Sequence, residues 1–467
     1  MSGARRQRVA ALISELKTRQ IGHGGDPQAS TGPRDEVSSF DFSKLPELDA
    51  YRTMAKAAER FGFASPYFRM HDGPPSSVQR IGEKERINFA SYDYLGLNGD
   101  PRIKEAAIRA IDDSGISPGA SRLVGGERDC HRVLEQALAE LHGVADAVVM
   151  VSGHATNVSV LRTLLGPEDL VVTDALAHNS LIEGARLSGA TRLTCPHNDY
   201  DWLDRELGRI RGRHRRVVIA VESLYSMDGD SPDLASLVSI KARHGAWLMV
   251  DEAHGVGVLG QTGRGIAEEQ GVDPLSVEIW MGTLSKTLGS CGGYIAGSAD
   301  LIRLMKYKAP GFVFSVGLPP VLAVAACEAL RLMLEEPERV DRLAQNGAIF
   351  YQACRSEGLD TGRSKGRAIT SILTGDSMSA VALSQGLFDA GINALPVVYP
   401  AVPERQARVR FFITARHTED QLVETVSKIS ECRERLDRMR PIIHEELSRM
   451  AAEKAVYSSG SISARNP

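Results

Sequence analysis

The sequence predicts an α/β fold. A large domain built on a mostly parallel sheet precedes a smaller C-terminal α/β domain, and an N-terminal extension leads into both. Three observations carry this expectation. Short apolar runs at 147–151, 170–173, 217–221, 247–250, 279–281 and 294–296 alternate with helical stretches, and several are bounded by Gly, Asp or Ser. Runs buried on both faces and separated by helices indicate a parallel sheet covered by helices. The alternation ends near Gly297, and residues 318–357 read as mostly helical. The chain has 467 residues, which is too long for one ordinary domain.

In chain order, residues 5–20 place Val9, Leu12, Ile13 and Leu16 at helical spacing among Arg5, Arg6, Arg8, Lys17 and Arg19. This is the pattern of a basic amphipathic helix, either packed on the body or free to dock a partner. Residues 21–40 are rich in Gly, Pro, Ser and Asp and read as a linker. Residues 44–61 look helical. The extension is therefore drawn at 1–86 and the large domain at 87–317. A small domain at 318–440 has strand-like 369–373 and 409–413 and a charged helix at about 418–439. A tail follows at 441–467, polar and without ordering signals over 458–467.

Composition narrows the function. Hydrophobic residues make up 43% and charged residues 24%, ordinary for a globular chain. The 55 basic and 59 acidic residues give a net charge of −4, so no general affinity for nucleic acid follows. No apolar run approaches ~18 residues, so no transmembrane segment is expected, and the N-terminus does not read as an export signal. The six cysteines include no CxxC pair and read as reduced thiols in a cytoplasmic protein.

The chemistry gathers at strand ends. The run Leu248-Met249-Val250 ends in Asp251, and His254 follows. In open α/β sheets, ligands sit beyond the carboxyl ends of strands, although a lone Asp there is more often a turn former. Thirty-five residues on, Lys286 lies in Gly282-Thr283-Leu284-Ser285-Lys286-Thr287-Leu288-Gly289, again after an apolar run. A lysine held in a pocket loses its proton readily and forms a Schiff base with a carbonyl compound. Paired with an acid, it matches what pyridoxal phosphate requires: an amine for the imine and a carboxylate for the pyridine nitrogen. Gly153 and His154 open a helical stretch after another strand, an arrangement suited to a phosphate. His178 follows a fourth strand, where an aromatic ring can stack on the cofactor. Glu222-Ser223-Leu224-Tyr225-Ser226-Met227-Asp228-Gly229-Asp230 follows a fifth. Each piece alone reads as a loop; together they can build one pocket.

With these residues in view, NFASYDYLGL (88–97), SGHATN (152–157), HNSL (178–181), ESLYSMDGD (222–230), VDEAHGVGVLGQTGRG (250–265), GTLSKTLGSCGGYIAG (282–297) and ARVRFFITARHT (407–418) resemble the α-oxoamine synthases. These are pyridoxal-phosphate enzymes of fold type I. The likeness covers roughly 85–430. It implies that Lys286 forms the Schiff base, Asp251 partners the pyridinium and His178 stacks on the ring. It also implies that Ser226 and His254 lie near the phenolic oxygen, and that Gly153, His154 and Thr283 line the phosphate region. Arg410 is implied to hold the amino-acid carboxylate, which a guanidinium fork suits. A homodimer with sites at the subunit interface is implied as well.

The chain departs from the family in places. Tyr92 stands where many relatives have Asn, as in serine palmitoyltransferases, which Ala120-Ser121-Arg122-Leu123-Val124-Gly125-Gly126 also resembles. Val316 and Gly317 replace hydroxyls that reach the partner subunit's phosphate in relatives, and neither residue can make that contact. The expected reaction is a decarboxylating condensation of a small amino acid, serine favoured, with an acyl thioester on CoA or a carrier protein. Alanine or glycine is the alternative, as in 8-amino-7-oxononanoate synthases or carrier-protein-linked synthases. A non-catalytic partner subunit is the reading from another class, opposed by the joint presence of Lys286, Asp251, His178 and His254.

Overall fold

Alternate residues of each buried strand point to opposite faces of a sheet, so a strand covered on both faces must be apolar throughout. Residues 217–221 and 247–250 satisfy this, and in the computed structural model they form central strands. The structure describes residues 42–403 and 405–460. The basic helix expected over 5–20, the linker over 21–40 and the end of the tail, 461–467, lie outside the described residues. The chain divides into two units, Met1–Lys56 and Ala57–Pro467. The described part of the first holds a short turn at Phe42–Lys44 and the beginning of the helix Glu47–Arg60.

In the second unit, β1 (His71–Asp72), β2 (Val78–Ile81) and β3 (Lys84–Asn88) pair antiparallel. The central sheet contains β4 (Asp146–Met150), β5 (Leu170–Asp174), β6 (Thr191–Cys195), β7 (Val217–Glu222), β8 (Trp247–Asp251), β9 (Ile279–Thr283) and β10 (Gly293–Gly297) in the order β4-β10-β9-β8-β7-β5-β6. All six expected apolar runs are strands of this sheet. β5 to β9 run parallel. β10 runs antiparallel between β4 and β9. The reason is the loop: residues 284–292 separate β9 from β10, too few for the crossover that a parallel neighbour needs. β6 was not expected. It lies at the sheet edge, and in Thr191-Arg192-Leu193-Thr194-Cys195 only Cys195 is buried.

Two apolar layers cover the sheet. Val149, Val172, Ile219, Leu248, Trp280 and Tyr294 face one core; Val148, Val171, Val218, Met249, Ile279 and Ile295 face the other. Each such side chain contributes about 1.5–3 kcal/mol. The stretch 318–357 holds helices Pro320–Glu335 and Glu338–Ser356. A smaller sheet orders β11 (Ile369–Gly375), β14 (Ala407–Phe412) and β13 (Leu395–Val397), while β12 (Ile392–Asn393) adds to β3 in parallel. The last helix, expected over about 418–439, runs Glu419–Gly460. The boundary drawn at 440 falls inside it, and residues 458–460 of the expected tail are helical. Among the described residues, no helix is long and apolar enough to cross a membrane.

Parallel strands bring their carboxyl ends to one edge. Asp174, Glu222, Asp251 and Thr283 all end strands there. Glu222 and Asp251 are direct neighbours in the β7–β8 register.

Candidate active site

Asp251 is 4% exposed. Its Oδ1 accepts from the Ala253 N–H at 2.9 Å, and its Oδ2 accepts from Asn157 Nδ2 at 2.7 Å. Lys286 lies in the loop after β9, where burial lowers its pKa to about 8; Asp251 and Glu222 oppose the shift and Arg410 adds to it. Its Nζ stands 5.6 Å from the Tyr92 ring centroid. A fraction of the amine is therefore uncharged at neutral pH, as a nucleophile requires.

Glu222 was quoted within its motif but given no role. It is 3% exposed. Burial, reinforced by Asp251, raises its pKa to about 8. A protonated Glu222 leaves Asp251 as the charged partner of that strand pair at neutral pH. Glu222 Oε1 also accepts the backbone N–H of His178 at 2.6 Å. His178 caps the helix Asn179–Ser188. Burial lowers its pKa, Asp251 opposes the shift, and Lys286 adds to it.

His254 is buried, and its Nδ1 lies 2.7 Å from the Tyr94 hydroxyl. Burial, then Lys286, Arg410 and His178, hold its pKa well below the ordinary histidine value. The imidazole is neutral and can act as a hydrogen-bond partner without adding charge. Arg410, on β14, donates from Nη1 to the Ser226 carbonyl at 2.9 Å. Its guanidinium carbon sits 4.5 Å over the Phe412 ring. The Tyr92 ring meets Phe412 edge-on at 4.7 Å.

Ser152 caps the helix Gly153–Leu164, accepting from the Ala155 N–H at 3.3 Å. That leaves the first N–H groups of the helix as a ready anion site. A Cβ on Gly153 would stand 2.9 Å from Thr283 Oγ1, so this close approach to β9 requires glycine. His154 is exposed, with Nε2 3.3 Å from Asn179 Oδ1 and its ring 6.4 Å from that of His178. Gly317 also has a packing reason: a Cβ there would stand 2.9 Å from Arg122 Cγ. A cavity of about 290 Å³ leads to Lys286, with Gln79, Asn88, Ser91, Tyr92 and Asn98 in its wall.

The structure thus brings Asp251, His178, His254 and Arg410 within electrostatic reach of Lys286. Gly153 and Thr283 meet beside them, and Ser226 joins through its carbonyl. The sequence reading missed Asn157, Ser180, Tyr94 and Glu222 as individuals. All four lie inside the motifs it quoted, but their roles depend on contacts across the fold.

The donor set fits pyridoxal phosphate. A partly deprotonated lysine, a buried carboxylate fixed by two N–H donors, and a helix N-terminus closed to side chains by Thr283 supply the three anchors it needs. Comparison with known proteins agrees. The family model for aminotransferase class I and II matches residues 84–429. The 8-amino-7-oxononanoate synthase of Symbiobacterium thermophilum is 41% identical over 353 residues, 76% of this chain and 89% of the relative. A putative 8-amino-7-oxononanoate synthase of Gloeobacter violaceus is 42% identical over 365 residues, 78% and 93% of the two chains. The solved structure of Sphingomonas wittichii serine palmitoyltransferase superposes with a TM-score of 0.80 at 29% identity, covering 84% of this chain and 99% of that one. The chain belongs to the class I and II aminotransferase family and, within it, to the α-oxoamine synthases: fold type I, pyridoxal-phosphate-dependent acyltransferases.

Proposed function

We propose that this enzyme condenses a small amino acid, L-alanine ahead of glycine and L-serine, with an acyl thioester, releasing carbon dioxide and the thiol. The observation that carries the reaction is Lys286: an amine lowered to about 8 beside Asp251 and Glu222, at the end of an open cavity. Bound pyridoxal phosphate supplies the electron sink for a carbanion at the α-carbon. Lys286 holds the cofactor and moves the α-proton. Asp251 keeps a fixed negative charge at the pyridine nitrogen, in a dry setting where charge counts most. His178 would cover the cofactor ring, His254 and Ser226 would meet its phenolic edge, and Gly153, His154 and Thr283 would hold its phosphate. Arg410 holds the substrate carboxylate.

Tyr92 leads the sequence reading to serine, but two observations support alanine. Its ring packs edge-on against Phe412 at 4.7 Å and its phenol is engaged by Arg410, so the hydroxyl is taken up by the guanidinium and not left for a substrate hydroxyl. Relatives near 40% identity are named 8-amino-7-oxononanoate synthases, and that product carries a methyl beside the amine. Decarboxylative joining of alanine gives that methyl; serine would leave a hydroxymethyl group. The acyl donor is a thioester of CoA or of a carrier protein.

A homodimer is part of this reading, supported by Phe314, Val124 and Tyr307, which are 87%, 78% and 64% exposed. A cytoplasmic setting is supported by six unpaired cysteines. The test is a panel of carboxyl-labelled L-alanine, glycine and L-serine, each with acyl thioesters of graded length. L-Alanine should give the highest kcat/KM for labelled carbon dioxide. Serine winning would restore the Tyr92 hydroxyl as a specificity contact, and no thioester-dependent release from any of the three would overturn the reaction.

A further inference from the structure

We propose that Asn157 and Ser180 are positioning residues that join Asp251 to His178 through one directional hydrogen-bond chain and so hold the His178 proton on Nε2. The inference rests on the reading above that Asp251 and His178 face the cofactor.

The direction follows from donor counting. An ionised carboxylate only accepts. Asn157 therefore turns its amide nitrogen, not its oxygen, toward Asp251 Oδ2, at 2.7 Å. The second N–H of the same nitrogen reaches Ser180 Oγ at 2.9 Å. Ser180 Oγ is thus an acceptor on that side, and its own proton is free for the neighbour beyond. That neighbour is His178 Nδ1, 2.7 Å away. The Ser180 backbone N–H addresses the same ring nitrogen at 3.3 Å. Two donors converge on Nδ1, so Nδ1 carries the lone pair and Nε2 the proton.

Burial removes the alternatives. Asn157 and Ser180 are each 1% exposed, so no water competes for the chain. Flipping the Asn157 amide would set Oδ1 against the Asp251 carboxylate. The observed orientation holds even though it leaves Oδ1 without a hydrogen-bond partner. Around the His178 ring stand Asp251, Lys286, His154 and Arg410, with Glu222 on its backbone N–H. Burial, reinforced by Lys286, His154 and Arg410, disfavours a second proton, and Asp251 alone opposes it.

The chain accounts for parts of two motifs that the reaction itself does not use. Asn157 closes SGHATN and Ser180 stands in HNSL, 23 residues on. Through them, the Asp251 carboxylate and the His178 donor are set by one network. His178 then offers a preoriented Nε2–H to a substrate oxygen, with no reorganisation at the moment of reaction.

The test is ¹⁵N NMR of the histidine-labelled holoenzyme, with the His178 signals assigned by their loss in His178→Gln. From about pH 6 to 8, Nδ1 should show the shift of an unprotonated nitrogen and Nε2 that of an N–H. Ser180→Thr should keep this pattern. Ser180→Ala and Asn157→Ala should mix the tautomers and raise the His178 pKa, with kcat falling roughly fivefold to tenfold. A protonated Nδ1 in the unaltered enzyme overturns the proposal, whether or not the variants fold. So does an unchanged pattern in Ser180→Ala. The tautomer is read without turnover, so a wrong choice of substrates leaves this result intact.

Discussion

His254 and His197 lie beyond the same sheet, His254 buried and the His197 side chain 8% exposed between two acids, yet their environments drive them in opposite directions. His254 faces Lys286, Arg410 and His178, and burial first, then these neighbours, push it well below the ordinary value. His197 is clamped between Asp174 Oδ1 and Asp230 Oδ2, each 2.8 Å from a ring nitrogen. Burial would lower its pKa, but the two carboxylates overcome this and raise it to about 9. The difference lies in where the acids at this edge of the sheet spend their charge. Asp174 and Asp230 are consumed by an ion pair that ties β5 and β6 to the loop after β7. Asp251 is held by neutral donors from Asn157 and Ala253, so its charge remains available to a ligand. Strand ends alone do not mark a site; a carboxylate hydrogen-bonded only by neutral donors does.

Four expectations sharpen this contrast, the largest first. Lys286→Ala should remove the visible absorbance of the purified protein and lower turnover by ~10³-fold or more; a variant with full activity would place the chemistry elsewhere. Asp251→Asn keeps the shape and removes the charge. Exchange of the amino acid's α-proton should fall by about a hundredfold to a thousandfold, and unchanged exchange would contradict the electrostatic role.

The third expectation concerns the clamp. His197→Gln leaves Asp174 and Asp230 without a counter-charge, which should cost about 3–5 kcal/mol of stability. The sign with pH follows from the raised value. The contribution of His197 is fully present below its ordinary pKa of 6.5 and is lost as pH rises through about 9. Thermal melts from pH 6 to 10 should show that decline in the parent and lack it in the variant. A variant as stable as the parent would mean the clamp does nothing.

The smallest effect is at Glu222, whose raised pKa of about 8 keeps it protonated at neutral pH. Glu222→Gln should change kcat by less than about threefold at pH 7, and should diverge from the parent only where the parent carboxyl ionises. A large loss at pH 7 would show that Glu222 acts as an anion.

The sequence made much of this legible, and its failures have physical causes. Buried runs such as 217–221 declare themselves because both faces must be apolar. β6 did not, because an edge strand with Thr191 and Arg192 in solvent carries little apolar signal. The reversed β10 is a matter of loop length rather than of pattern. Lys286 and Asp251 were readable from residue type after a strand, a local property. Asn157 was not, because its role is a bond to a residue 94 positions away. Glu222 was passed over for a related reason: nothing in Val221-Glu222-Ser223 tells that Asp251 will lie beside it and hold its proton on.

The account turns on Lys286 as the amine that carries a decarboxylating condensation. The most direct measurement is labelled carbon dioxide released from carboxyl-labelled L-alanine with an acyl thioester, by the parent and by Lys286→Ala. The account predicts one carbon dioxide per thiol freed by the parent and none above background from the variant. Release by the variant at the parent's rate, or release by the parent that does not depend on the thioester, would contradict it.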